Sequence, residues 1–171
     1  SKVFIGAHQE ALAKKLNVPF EIIRWPINLK DYNNICYQNI RDRFNSDLLL
    51  FCPSRHHQRR KGTLTMLNAF VEFVSEHRKC KLLTVGWGED LAQSKRLVRK
   101  KGLSKNILFL PLMSHHRILK YYAAADVILD QFAVGGYGLI GTESLASNSP
   151  LITYLSDASK QQFEVGPPVA N

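Results

Sequence analysis

The sequence predicts an α/β fold, a parallel sheet with helices on both faces, on three observations. Short runs rich in Leu, Ile, Val and Phe recur from Asp47 onward: DLLLFC, KLLTVG, NILFL, DVILD and PLITY. They are apolar at successive positions, as strands covered on both faces are. Segments with helical spacing of apolar residues stand between them, which implies parallel pairing through right-handed crossovers. The expected architecture is a Rossmann-like doubly wound sheet, with its ligand site outside the carboxyl ends of the strands.

Each element has its own justification. DLLLFCPS is an apolar run closed by turn residues, the first strand of this sheet. In TLTMLNAFVEFVSEH, Leu64, Leu67, Phe70, Val71 and Val74 recur at helical spacing. KLLTVGWG is a second strand. EDLAQSKRLVRKKG is a basic surface helix, with Gly102 placed just past its end. NILFLPLM is a third strand, and SHHRILKYYAAA a helix with Ser114 at its N-cap. DVILDQF is a fourth strand, GGYGLIGTESLASN a glycine-rich turn running into a helix, and PLITYLS a fifth strand. Before Asp47 the pattern differs. KVFIGA and FEIIRW read as strands flanking a helix in HQEALAKKLN. PINLKDYNNICYQNIRDRFNS is a polar connector with one short helix.

The 171 residues suffice for one domain with a proper core, and 45% hydrophobic with 22% charged residues is an ordinary globular mix. The net charge of +9 predicts attraction to an anion: a nucleotide, a nucleic acid or an acidic membrane surface. Cys36, Cys52 and Cys80 stand at no metal-ligand spacing and read as reduced structural thiols, which favours a cytoplasmic setting. No apolar stretch is long enough to span a membrane, and no signal-peptide pattern is visible. The sequence opens without Met, as expected of a piece of a longer protein.

Two segments concentrate the chemistry. PSRHHQRRKG, from Pro53 to Gly62, places Arg55, Arg59, Arg60 and Lys61 where a strand turns into a helix, with no acid among them. A helix start favours anions, so two cations reaching over it would clamp a diphosphate; a solvated loop that merely adds charge is the plainer alternative. In GGYGLIGTES, Gly135, Gly136 and Gly138 permit positive φ and a close approach of backbone to ligand, ahead of the N–H groups of Leu139, Ile140 and Gly141. A tight turn without a ligand is the alternative there. Glu143 could accept from ribose hydroxyls or simply complement the helix dipole. In a parallel sheet both segments fall on one rim, at a spacing that suits one nucleotide diphosphate.

Other candidates carry less. His56–His57 and His115–His116 are adjacent pairs without a nearby ligand partner and read as loop and cap residues, with His115 a minor base-pocket candidate. GWGED lacks the third glycine of a dinucleotide fingerprint. KRLVRKKG has no interleaved aromatics, so it reads as a solvated face rather than a nucleic-acid site.

With these residues in view, the sequence resembles the nucleotide-binding, C-terminal half of retaining GT-B glycosyltransferases of the group 1 family. The resemblance covers nearly the whole chain. It rests on Arg55 followed by Lys61–Gly62, on DVILDQFAVGGYGLIGTESLASNSPLIT, on NILFLPLMSHHRILKYYAAADV and on the linker-like IIRWPINLKDY. It implies that residues 1–33 are the tail of an acceptor domain with the interdomain linker, and that 34–171 form a donor domain truncated at its C-terminus. It implies transfer, with retention, of a glycosyl group from a UDP-sugar or GDP-sugar to a sugar, lipid-linked or protein acceptor. It implies no cofactor and no metal, because Arg55 and Lys61 stand where a metal would. Catalytic roles fall to Arg55, Lys61 and Glu143. Gly62, Gly136, Gly138 and Leu139 would meet the phosphates or sugar, Glu143 the ribose, and the backbone near Leu112 and Met113 the base. Peripheral membrane contact through the basic helix follows from the same resemblance, and the chain alone is expected to be inactive. One departure stands out: where the family carries the first of two glutamates, this chain has Gly135. Asp130 is either a substitute or a strand-end polar residue. A GT-B-type nucleotide-sugar epimerase and a non-catalytic nucleotide-sugar-binding domain are the other readings.

Overall fold

The computed structural model describes residues 3–5, 10–22, 27–136, 138–157 and 159–160. The N-terminal segment forms a small βαβ unit: β1 (Val3–Ile5), α1 (Glu10–Lys15) and β2 (Phe20–Ile22), with the two strands parallel. A 3-10 turn at Leu29–Tyr32 and helix α2 (Gln38–Phe44) follow. The polar connector therefore contributes to the core: Ile40 and Phe44 are buried, and Tyr32 and Ile35 pack against the same cluster.

Then come β3 (Leu48–Cys52), the one-turn α3 (Gln58–Lys61), α4 (Thr63–Glu76), β4 (Cys80–Val85), α5 (Leu91–Lys100) and β5 (Ile107–Leu110). The chain closes with α6 (His115–Ala124), β6 (Val127–Leu129), α7 (Leu139–Ala146) and β7 (Leu151–Ile152). The five strands β3 to β7 are all parallel and lie in the order β5-β4-β3-β6-β7. Growth runs outward from β3 to β5, then returns past β3, so the order reverses between β3 and β6. That reversal is the topological switch point at which open α/β sheets bind ligands.

Side chains alternate across the sheet as the strand period requires. Leu49 and Phe51 face a cluster with Ile40, Phe44, Leu119, Tyr121 and Tyr122, which sets α2 and α6 on one face. Leu50 and Cys52 face Met66, Leu67, Phe70 and Val98, which sets α4 and α5 on the other. The central strand is buried on both sides, which explains its unbroken apolar run. Phe51 anchors the first layer with its ring edge-on to Tyr122, centroids 5.5 Å apart.

Several expectations need correction. PLITYLS forms a ladder only at Leu151–Ile152, and beyond it the backbone keeps the same register through one further bond, Tyr154 N–H to the Gln131 carbonyl at 2.8 Å. Ser114 is the N-cap of α6, yet its hydroxyl makes no cap bond. Cys36 is exposed, whereas Cys52 and Cys80 are the buried thiols; burial pushes the Cys52 thiol up to about 12. Gly102 does sit past α5 with φ 70°.

Candidate functional site

The rim at the switch point begins where β3 ends. Residues 53–62 form a loop and the single turn α3 before α4, and their polar groups are tied inward. Gln58 Oε1 accepts the Leu64 N–H at 2.7 Å, capping α4, and the Gln58 N–H donates to Asp90 at 2.7 Å. His57 N–H donates to Thr63 Oγ1, and its ring caps α3 by accepting from Arg60 N–H at 3.2 Å. Beneath them His56 has 0% exposure, its ring between Ser94 Oγ at 2.9 Å and Thr84 Oγ1 at 3.1 Å. Burial lowers its pKa to about 4, so it is a neutral core residue and not the loop residue expected. Gly88 explains how it fits: a Cβ there would come within 2.5 Å of the His56 carbonyl.

Of the four cations, Lys61 turns into the rim. Its ammonium lies 2.9 Å from Asp130 Oδ1, and Ser54 Oγ donates to the same oxygen at 2.8 Å. The Asp130 side chain is only 2% exposed. A second tie runs through the backbone, since Phe132 N–H donates to the Lys61 carbonyl at 2.9 Å. Gly62 has φ 63°, and a Cβ there would meet Phe132 at 3.0 Å, so a glycine is needed for this approach. Arg55 is half-buried and its carbonyl accepts from Thr63 Oγ1; its guanidinium bonds to none of the described residues.

The glycine turn is built on one side chain. Gln131, 3% exposed, accepts at Oε1 from three successive backbone N–H groups, Ala133 at 3.2 Å, Val134 at 3.0 Å and Gly135 at 3.0 Å. Its Nε2 donates to the carbonyls of Gly136 at 3.1 Å and Tyr154 at 2.5 Å. Only Gly135 of the three glycines takes positive φ, 75°, which corrects the reading of Gly136 and Gly138. A Cβ at Gly135 would fall 2.6 Å from the Ser156 nitrogen, so position 135 has no room for any side chain. At Gly136 and Gly138 a Cβ would meet nothing within 4 Å, so the Cβ side of each of these two glycines is open among the described residues. Gly138 is the N-cap of α7 and Leu139, exposed, its first residue.

Glu143, on the second turn of α7, is buried and already partnered. His115 Nε2, from the first residue of α6, lies 2.6 Å from Oε1, and Tyr122 donates to Oε2 at 2.8 Å. Burial first, and the Glu143 carboxylate second, push the Tyr122 hydroxyl well above its ordinary range and Tyr32 to about 12. The carboxylate thus ties α6 to α7 beside Tyr32, and of the groups on it His115, whose side chain is 57% exposed, is the one that reaches solvent most. Met113 packs partly into the first core layer, while Leu112 beside it is 69% exposed. Among the described residues, no group of three or more His, Cys, Asp or Glu side chains could hold a metal ion.

The structure therefore gathers Lys61 and the glycine turn around Asp130–Gln131, and Glu143 with His115 on the neighbouring helix start. The roles of Gln131, Tyr122, Gln58 and His56 were missed. The signal for Gln131 was available: two polar residues in succession at the carboxyl end of an apolar strand, on the rim where ligands bind.

The chain is similar to alpha-monoglucosyldiacylglycerol synthase of Acholeplasma laidlawii, 28% identical over 155 residues, covering 86% of this chain and 39% of that protein. The enzyme of the same name from Streptococcus pneumoniae is 29% identical over 94 residues, 55% of this chain and 21% of that one. The chain thus spans well under half the length of these curated relatives. Among solved structures, the C-terminal domain of a glycosyl transferase group 1 family protein (LpcC) from Francisella tularensis superposes with TM-score 0.65 at 20% identity, covering 80% of this chain and 83% of that one. Anabaena HepE, solved with UDP-glucose, superposes with TM-score 0.71 at 16% identity, covering 90% of this chain and 44% of that one. These structures share the fold, and none of the relatives named here is an epimerase. The family model of glycosyl transferases group 1 matches residues 38–164, and the chain belongs to that family.

Proposed function

We propose that this chain is the donor-binding part of a glycosyltransferase that transfers a glycosyl group, with retention, from a UDP-sugar or GDP-sugar. One observation carries the reading: Lys61 and the open backbone at Gly136 and Gly138 flank Asp130–Gln131 at the switch point. Lys61 and Arg55 would neutralise the departing nucleotide diphosphate, without a metal, since fixed cations and dipoles stabilise charge where it develops. Gly62, Gly136, Gly138 and Leu139 would line the phosphates or sugar, Glu143 would accept from the ribose, and Met113 would border the base. That HepE was solved with UDP-glucose supports a nucleotide-sugar donor. Residues 1–33 would be the end of an acceptor domain and its linker, and 34–171 the donor domain. The transfer itself belongs to the whole enzyme.

The relatives' names favour a lipid-linked acceptor over a protein one. The exposed Lys95, Arg96, Arg99, Lys100 and Lys101 on and just past α5 would meet an anionic membrane surface from the cytoplasmic side, and no nucleic acid. No helix among the described residues is long and apolar enough to cross a membrane.

Calorimetry with UDP, UMP, uridine and their guanosine counterparts tests the donor reading. Affinity should fall from diphosphate to monophosphate to nucleoside for one of the two bases. Arg55→Ala should cost about 1.5–3 kcal/mol of diphosphate affinity, the range for charge-assisted hydrogen bonds, while Arg59→Ala and Arg60→Ala cost far less. Equal affinities along the series, or equal losses at all three arginines, would show diffuse attraction in place of a site.

A further inference from the structure

We infer that Gln131 is the positioning residue of the donor site, and that it replaces a side chain at position 135 as the element that shapes the glycine turn. The inference rests on the donor-binding reading and adds to it a residue outside the family motif. Three consecutive N–H groups pointing at one oxygen form the same concavity that backbone nests offer to an anion. Here the oxygen belongs to the protein: Gln131 Oε1 fills the concavity made by Ala133, Val134 and Gly135. A diphosphate therefore does not sit in that nest. It meets the backbone at Gly136 and Gly138 instead, where a Cβ would touch nothing within 4 Å.

The amide can hold only one orientation. Its oxygen faces three donors, and its nitrogen faces the Gly136 and Tyr154 carbonyls. Every hydrogen-bonding capacity of a side chain that is 3% exposed is thus used. This staple is also why position 135 is a glycine. Closing the turn on Gln131 drives Gly135 to φ 75° against Ser156, whose N–H and hydroxyl both reach the Gly135 carbonyl, at 3.0 and 3.3 Å. Gln131 follows Asp130 directly, so one dipeptide at the end of β6 sets both walls of the site: Asp130 the cation Lys61, Gln131 the turn.

The test is calorimetry on the 171-residue chain with UDP, GDP, uridine and guanosine, for wild type, Gln131→Ala and Gln131→Glu. Glutamate keeps the shape and the acceptor but sets a second oxygen against two carbonyls, so it reports on the turn if the alanine variant fails to fold. We expect each folded variant to bind the diphosphate at least tenfold more weakly while nucleoside affinity stays within about twofold. A residue that served stability alone would lower the melting temperature and leave the diphosphate-to-nucleoside ratio unchanged; that result overturns the inference. Wild type with no preference for a diphosphate would remove the donor-binding reading itself, and this inference with it.

Discussion

Glu143 shows how much one carboxylate can hold at the level of single side chains. It is a buried acid that accepts from Tyr122 at 2.8 Å and lies 2.6 Å from the His115 ring. A residue that only complemented a helix dipole would be worth a few tenths of a kcal/mol. This one satisfies a buried hydroxyl, so its replacement should cost more. Glu143→Leu comes close in size, yet it can accept from neither the tyrosine hydroxyl nor the His115 ring. We expect a stability loss of about 1–3 kcal/mol by denaturant titration, the cost of leaving a buried polar group unmatched. If the ribose also uses this carboxylate, the UDP dissociation constant should rise about tenfold in the same variant, since about 1.4 kcal/mol is a factor of ten. An unchanged dissociation constant would leave Glu143 with a structural role only.

At the scale of elements, His56 is the bolt between strands and helix. It stands after β3, touches Thr84 on β4 and Ser94 on α5, and its backbone pairs with Trp87 and Asp90. Because burial lowers its pKa from 6.5 to about 4, the folded protein keeps this ring neutral while the unfolded chain takes up a proton. The contribution is whole above pH 6.5 and shrinks as pH falls toward 4. Over that window the loss is at most about 3 kcal/mol. Comparing wild type with His56→Gln by denaturant titration at several pH values should show a shallower slope in the variant; parallel slopes would mean that other groups carry the dependence. Such a bolt is hidden from sequence reading. The five strands of the main sheet and their helices were legible because their apolar periodicity is set by burial on two faces, and Lys61 and the glycine turn because charge and glycine mark a rim. His56 was not, since its burial depends on partners 28 and 38 residues away, and for Gln131 only the rim position was legible, since its tie to the chain 22 and 23 residues on leaves no local pattern. Ile40 and Phe44 were likewise obscured by polar neighbours on the solvent side of α2.

The whole molecule divides its site between distant parts of the chain. Ser54 and Lys61 meet Asp130 across 76 and 69 residues of sequence, because β6 docks beside β3 only after the chain has run out to β5 and returned. This arrangement has a consequence in time. Contacts that close long loops are slow to form, while β3 can pair with β4 through one short crossover. We expect β6 to dock in the late part of folding, with the rim formed only once it has done so. A nucleotide should then stabilise the finished protein without helping to make it. In stopped-flow experiments, UDP should slow unfolding in proportion to site occupancy and leave the refolding rate constant unchanged. Refolding that quickens as UDP is added would show that the two halves of the rim already stand together at the folding transition state.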